Sequence, residues 1–301
     1  MSLAADPVPT LESVPEGGEV HDSGSVARLV ARTFLENRLA LVGLVIVVLV
    51  TLFCFVGPLF YKTDQVHSNL LNANIPPGGA YPLGTDDNGY DILGRLMAGG
   101  QSSIEVGISV ALMATSLGVL WGAIAGFVGG AVDAVMMRIV DVVLAIPVVF
   151  LFIFLASVVQ PTLLLLILVL ALLSWLGPAR LVRGETLSLR TREYVQATRV
   201  MGGGSWRAVL RHIVPNTIGT IIVNATFQVA DAILVLATLQ FLGFGLPPPT
   251  ATWGGMLANG TEYLFDGYWW MVYPAGILIV LTVLAFNFLG DGLRDAADTK
   301  S

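Results

Sequence analysis

The sequence predicts an all-helical membrane protein with six transmembrane helices. Apolar residues make up 55% of the 301 residues and charged residues only 12%, a balance typical of chains that cross a membrane several times. Several uncharged runs are long enough to span, because roughly 20 apolar residues cross the hydrocarbon core of a bilayer. Polar segments separate these runs. We therefore expect membrane lipid as a partner, and the net charge of −6 gives no indication of nucleic-acid binding.

The uncharged runs place six spans along the chain. We predict them at residues 39–60, 106–130, 138–159, 162–182, 216–242 and 269–290. The third and fourth spans share one long uncharged stretch, which we divide at Gln160-Pro161 because proline breaks a helix. Residues 1–27 are rich in Pro, Gly and Ser and lack apolar periodicity, so they predict a disordered tail. The membrane domain is then residues 28–298.

The positions of lysine and arginine predict the orientation. With the N-terminus inside, every lysine and arginine is cytoplasmic except Lys62 and Arg95, which fits the positive-inside rule. Both termini and the segment 183–215 are then cytoplasmic, while loops 61–103 and 243–268 are external. Within the first external loop, Ile92, Leu93, Leu96 and Met97 form an apolar stripe that predicts a short helix on the membrane surface.

The second predicted span carries small residues at every fourth position. These are Ala114, Gly118, Gly122, Gly126 and Gly130. Such spacing lines one helical face with small side chains, which lets two membrane helices approach closely. We expect a tightly packed partner helix on this face.

The arginine-rich segment 183–215 predicts a short docking helix. Tyr194, Ala197, Thr198 and Met201 fall at i, i+3, i+4 and i+7, on one helical face, and Gly202 stands where a left-handed cap would end the helix. Small residues on that face would let its backbone approach a partner closely.

This segment resembles the cytoplasmic motif of the inner-membrane permease subunits of bacterial ABC importers. Gln196-Ala197-Thr198, Gly202, and His212, Val214 and Pro215 keep the family's spacing, although several letters differ. Glu193-Tyr194-Val195 and the run from Arg211 to Asn216 are similar to the dipeptide and oligopeptide importers. So are Phe241-Leu242-Gly243-Phe244-Gly245 and Trp253-Gly254-Gly255-Met256-Leu257, and the resemblance covers residues 28–298.

The resemblance implies an ABC type I importer permease fold in the bacterial cytoplasmic membrane. It implies half of a translocation path for dipeptides or oligopeptides, a homologous second permease, two ATPase subunits that bind ATP and Mg²⁺, and an extracytoplasmic binding protein. The implied ATPase-coupling residues are Glu193, Tyr194, Gln196, Ala197, Thr198, Met201, Gly202 and Pro215. The alternatives are a permease for nickel chelates or another small solute, and a stand-alone secondary transporter.

The chain shows no signature of catalysis or of a bound cofactor. Its only lysines are Lys62 and Lys300, neither in a complete P-loop, and its three histidines have no metal-ligand spacing. We therefore expect a non-enzymatic subunit without metal or cofactor.

Polar residues outside the arginine-rich segment suggest further roles. Asp141 lies three residues after Arg138, which predicts a local ion pair. Asp231 lies well inside the fifth span, so it predicts either a residue of the translocation path or a buried hydrogen bond. Asp86, Asp87 and Trp253 lie in external loops, where we predict contact with the binding protein.

Overall fold

The computed structural model describes residues 31–147, 158–193 and 209–298, together with Phe150, Leu151 and Phe154. In these ranges the regular elements are helices. The longer ones are α1 (Arg38–Phe55), α2 (Ile92–Val128), α3 (Gly130–Leu144), α4 (Leu163–Ser174), α5 (Leu176–Leu189), α6 (Ile218–Phe241), α7 (Trp253–Tyr263) and α8 (Tyr273–Asp298). Short helical turns lie at Gly57–Phe60, Leu70–Asn72, Val209–Ile213, Val214–Asn216, Leu264–Asp266 and Trp269–Met271.

The protein is a multi-pass membrane protein. Five stretches of the described residues are long and apolar enough to cross a bilayer: Arg38–Phe60, Ile92–Val128, Leu163–Leu189, Ile218–Phe241 and Trp269–Ala297. They correspond to the first, second, fourth, fifth and sixth predicted spans. The predicted third span, 138–159, overlaps the end of α3 and continues into residues that lie partly outside those described.

Helix α2 is the centre of the bundle and contacts α1, α4, α5, α6 and α7. Its 37 residues extend about 55 Å at ~1.5 Å per residue, well beyond the ~30 Å hydrocarbon core. The Asp91 carboxylate caps its start by accepting a hydrogen bond from the Gly94 amide at 2.7 Å. At its other end, Gly129 has a φ of +71°, a conformation that glycine adopts without steric cost.

The start of α2 corrects one prediction. The helix begins inside the predicted external loop 61–103, and the predicted short surface helix is the first part of α2. Ile92, Leu96 and Met97 are at most 4% exposed because they pack inside the protein instead of facing lipid.

The small-residue face of α2 packs against α5, as predicted. A Cβ atom added at Gly118 would lie 2.5 Å from Pro178 Cβ, and one at Gly126 would lie 2.8 Å from Thr186 Cβ. Gly130 is the exception, because α2 has already ended, and its φ of +58° belongs to the turn into α3. The two helices are therefore held at a distance that only glycine permits.

The start of α1 and the end of α8 meet. Asn37 caps α1, and its side-chain amide donates to the Asp295 carboxylate near the end of α8 at 3.0 Å. A Cβ atom added at Gly43 of α1 would lie 2.6 Å from the Ala285 carbonyl oxygen of α8. Both helix ends thus lie on one side of the bundle.

Candidate functional site

Two ion pairs join α3 to α5 at the predicted cytoplasmic end. Arg183 donates two hydrogen bonds to the Asp133 carboxylate, at 2.5 and 2.7 Å, and Arg180 donates to Asp141 at 2.5 Å. The bidentate geometry makes the first pair directional as well as charged. The predicted pairing of Arg138 with Asp141 is wrong, because the arginine that reaches Asp141 comes from another helix.

Both flanks of the predicted coupling segment are anchored to α2. Where α5 ends, the Arg190 guanidinium donates to the Gly126 carbonyl oxygen at 3.0 Å. Where the described chain resumes, Val209 and Ile213 are at most 2% exposed and pack with Val119 of α2. A displacement of the intervening segment would therefore act on α2 and α5 together.

The predicted coupling residues lie mostly within the gap between these flanks. Tyr194, Gln196, Ala197, Thr198, Met201 and Gly202 lie outside the described residues. Glu193 and Pro215 are described, and both are exposed. An exposed position is one that a partner protein can contact, but the coupling role of all eight residues stays a prediction.

Asp231 lies near the middle of α6, about 20 Å from its start at ~1.5 Å per residue. Its neighbours Ala230 and Ala232 are at most 3% exposed, whereas Asp231 itself is exposed. Asn224 and Thr238 lie seven residues before and after it, on the same helical face. The carboxylate thus lies on one helical face with two further polar residues, and it is not buried within this chain.

Another polar residue of α6, Gln228, has a structural role that the sequence analysis missed. Gln228 is 9% exposed, and its amide nitrogen donates to the Ser174 carbonyl oxygen at 2.6 Å. Ser174 ends α4 just before the chain bends into α5, where a helical carbonyl loses its usual partner. The hydrogen bond therefore ties α6 to the junction between α4 and α5.

A network of polar contacts around Asp86 lies at the predicted external end of the bundle. One carboxylate oxygen accepts hydrogen bonds from the backbone amides of Asn88 and Tyr90, at 3.0 and 2.8 Å. The other oxygen lies 3.7 Å from Arg95 Nε. Burial raises the pKa of Asp86, and the Tyr90 amide and Arg95 partly oppose this shift. The loss of hydration of the Asp86 carboxylate is therefore only partly compensated by its hydrogen bonds and by Arg95.

Asp87 and Tyr263 connect the same loop to α7. The negative charge of Asp87 is the main cause of a raised pKa of the Tyr263 hydroxyl, which indicates that the two side chains lie near each other. Asp87 is partly exposed, so it remains accessible to a partner.

Trp253 does not have the predicted role. It is 0% exposed, and its indole nitrogen donates to the Leu96 carbonyl oxygen at 2.9 Å. A completely buried side chain cannot contact a binding protein, so this part of the prediction is wrong. The indole instead fixes the start of α7 against α2.

A cavity of about 370 Å³ lies between the external loops and α7. Its polar lining includes Asp86, Asp87, Arg95, Gln240, Thr252 and Asn259. Arg95 spans its wall, donating to the Pro249 carbonyl oxygen at 2.6 Å while its guanidinium carbon lies 3.9 Å from the centre of the Tyr90 ring. Sequence reasoning missed Gln240, whose only signal was a polar residue at the very end of an apolar run. Among the described residues, no cluster of histidine, cysteine and carboxylate side chains is arranged to hold a metal ion.

Comparisons with known proteins agree with this architecture. Residues 118–300 match the family described as "binding-protein-dependent transport system inner membrane component". Residues 25–77 match the "N-terminal TM domain of oligopeptide transport permease C".

Individual relatives match over most of their length. The oligopeptide transport system permease protein OppC of Bacillus subtilis is 42% identical over 89% of this chain and 87% of its own. The dipeptide transport system permease protein DppC of the same organism is 37% identical over 89% of this chain and 84% of its own. OppC of Escherichia coli is 38% identical over 100% of this chain and 99% of its own. The chain therefore belongs to the family of inner-membrane components of binding-protein-dependent transport systems.

Proposed function

We propose that this chain is the permease subunit of an ATP-driven ABC importer and forms half of a translocation path for dipeptides and oligopeptides. In this proposal it crosses the bacterial cytoplasmic membrane six times, with both termini in the cytoplasm. A homologous permease supplies the other half of the path. Two ATPase subunits bind ATP and Mg²⁺, and an extracytoplasmic binding protein delivers the peptide.

The exposed carboxylate of Asp231 is the observation that carries this proposal. A charged side chain at the centre of a membrane helix costs at least ~2.5 kcal/mol when it faces lipid. Asp231 is nevertheless exposed near the middle of α6, and Asn224 and Thr238 lie on the same face. This face of α6 therefore contacts a second subunit or an aqueous path instead of lipid. Either contact is expected of a subunit that forms half of a translocation path.

The choice of peptides as cargo is supported by the names of the relatives. The permeases of Bacillus subtilis and Escherichia coli that align with nearly the whole chain are named for oligopeptide and dipeptide transport. No observation on the described residues favours nickel chelates or a secondary transporter.

The anchored flanks of the coupling segment support a mechanism of alternating access. A helix around Tyr194 to Gly202 would dock on an ATPase subunit and move with it when ATP is bound. Because Arg190 and Ile213 tie the two flanks to α2, this movement would tilt α2 and α5 as one unit. This tilt would open the translocation path to the outside, and the chain itself would catalyse no reaction.

The test is uptake of a labelled tripeptide by the complete importer reconstituted in vesicles. We expect ATP-dependent uptake by the wild type, and uptake reduced at least several-fold in Asp231→Asn with unchanged assembly of the complex. Asp291→Asn is the matched control, because it removes an exposed carboxylate near the end of α8. Uptake that is unchanged in Asp231→Asn would reject the path role, and no ATP-dependent peptide uptake by the wild type would reject the proposed function.

A further inference from the structure

The external cavity has the dimensions and composition of a site for a small molecule. Its volume of about 370 Å³ lies within the ~300–1,000 Å³ typical of ligand pockets. Leu246, Pro247 and Met256 supply apolar walls, and a few polar side chains converge between them. Such a mixture buries the body of a ligand and orients its polar groups.

Gln240 is a polar side chain in the cavity wall whose amide lacks a partner. The residue is 3% exposed, its amide nitrogen and oxygen are both buried, and neither makes a hydrogen bond within the described part of the chain. A ligand in the cavity would therefore reach this amide after a turn of the Gln240 side chain. A buried amide without partners costs free energy that folding must offset elsewhere. Gln228 on the same helix shows the usual outcome, since its amide is bonded to Ser174. The Gln240 amide offers two N–H donors and one acceptor oxygen, which can complement the carbonyl oxygen and the N–H of a peptide group.

The charge of the cavity favours a cation. Asp86 and Asp87 contribute two negative charges to the lining and Arg95 one positive charge. The Arg95 guanidinium donates to the Pro249 carbonyl oxygen and lies over the Tyr90 ring, so its positive charge is held at the wall of the cavity and offsets only one of the two carboxylates. The Asp86 oxygen that faces Arg95 has only a long contact of 3.7 Å. An ammonium group beside this oxygen would compensate a carboxylate that burial destabilises.

We propose that this cavity binds the amino-terminal end of a short peptide, with the α-ammonium group at Asp86 and the first peptide group at Gln240. The inference rests on the proposed function and deepens it, because it gives the permease its own recognition site at the external end. The site would select for a free amino terminus. The apolar walls accept side chains without strong discrimination, which suits a carrier of many peptides.

Binding of tri-alanine to the complete reconstituted importer, without added binding protein, tests the site. We expect Gln240→Leu and Asp86→Asn each to raise the Kd for tri-alanine roughly ten-fold, since each removes one hydrogen-bonding or charged partner. N-acetyl-tri-alanine should bind weakly to the wild type, and Asp86→Asn should not weaken it further. The controls are Gln65→Leu and Asp64→Asn, which make the same changes at external positions outside this cavity and should leave the Kd unchanged.

Each remaining outcome decides the matter. An unchanged Kd in both cavity variants, with normal assembly and melting temperature, overturns the inference. A loss of binding-protein association with unchanged tri-alanine binding also overturns it, because the occupant would then be a segment of that protein. If Gln240→Leu does not assemble, Gln240→Met replaces it, and an unchanged Kd again overturns the inference. Equal binding of free and acetylated tri-alanine by the wild type also overturns it. Normal peptide uptake by the wild type without any cavity effect would reject this site and leave the proposed function intact.

Discussion

Replacing Gly122 with alanine tests whether glycine sets the distance between α2 and α5. A Cβ atom at this position would lie 2.3 Å from the Ala179 carbonyl oxygen and 2.9 Å from the Arg183 backbone nitrogen. Ordinary contacts of a Cβ atom begin at 3.4 Å, so the two backbones would have to separate by about 1 Å. Overpacking of this kind typically costs about 1–3 kcal/mol.

Gly184→Ala is the matched control. Gly184 lies on α5, and a Cβ atom added there meets no other atom within 4 Å. Alanine is the better helix former by about 0.8–1.0 kcal/mol, so helix propensity alone predicts that both substitutions stabilise the protein. Close packing predicts opposite signs: Gly122→Ala lowers the stability and Gly184→Ala leaves it unchanged or raises it.

Thermal denaturation of the purified complex in detergent measures this difference, with peptide uptake in vesicles as the second readout. A melting temperature of Gly122→Ala equal to or above that of Gly184→Ala would refute the argument. It would mean that α2 and α5 separate at no cost, and that a tilt of one need not move the other.

Three further predictions concern the two ends of the bundle. Gly202→Val should uncouple ATP hydrolysis from peptide uptake in the reconstituted importer, and normal coupling would count against the predicted docking helix. Asp133→Asn should lower the melting temperature, by an amount equivalent to about 1–2 kcal/mol for a half-buried pair, whereas the charge swap Asp133→Arg with Arg183→Asp should recover part of it. Because burial raises the pKa of Asp86 above its ordinary 3.8, the folded protein holds this proton more tightly than the unfolded chain. This contribution to stability is complete below pH ~3.8 and is lost as the pH rises through the raised pKa. Asp86→Asn should therefore flatten that part of the plot of melting temperature against pH. A plot identical to that of the wild type would contradict the raised pKa of Asp86.

The apolar runs predicted most of the membrane architecture because crossing a bilayer requires long uncharged helices. The first predicted span, 39–60, nearly coincides with Arg38–Phe60. The second failed at its start, because Gln101, Ser102 and Glu105 interrupt the apolar pattern and made the early turns of α2 look like loop. Ser103 shows why helix is tolerated there, since its hydroxyl donates to the Gly99 carbonyl oxygen one turn earlier.

The errors in the site came from contacts between residues distant in sequence. Asp141 was assigned to Arg138 by local spacing, whereas its partner in the folded protein is Arg180 of α5, 39 residues away in sequence. Trp253 was expected at the surface because it lies in a predicted external loop, but its indole nitrogen donates to the Leu96 carbonyl oxygen of α2. Local patterns in a sequence describe one helix at a time and do not contain these pairings.

The length of α2 has a mechanical consequence. The helix is unbroken from the wall of the external cavity to its cytoplasmic end. Near that end, the Arg190 guanidinium donates a hydrogen bond to the Gly126 carbonyl oxygen. A rod of about 55 Å that pivots by about 5° at one end sweeps its far end through about 5 Å. Ligand binding at the external end and ATPase docking at the cytoplasmic end would therefore both change the tilt of α2. Each event would then favour or oppose the tilt angle that the other requires.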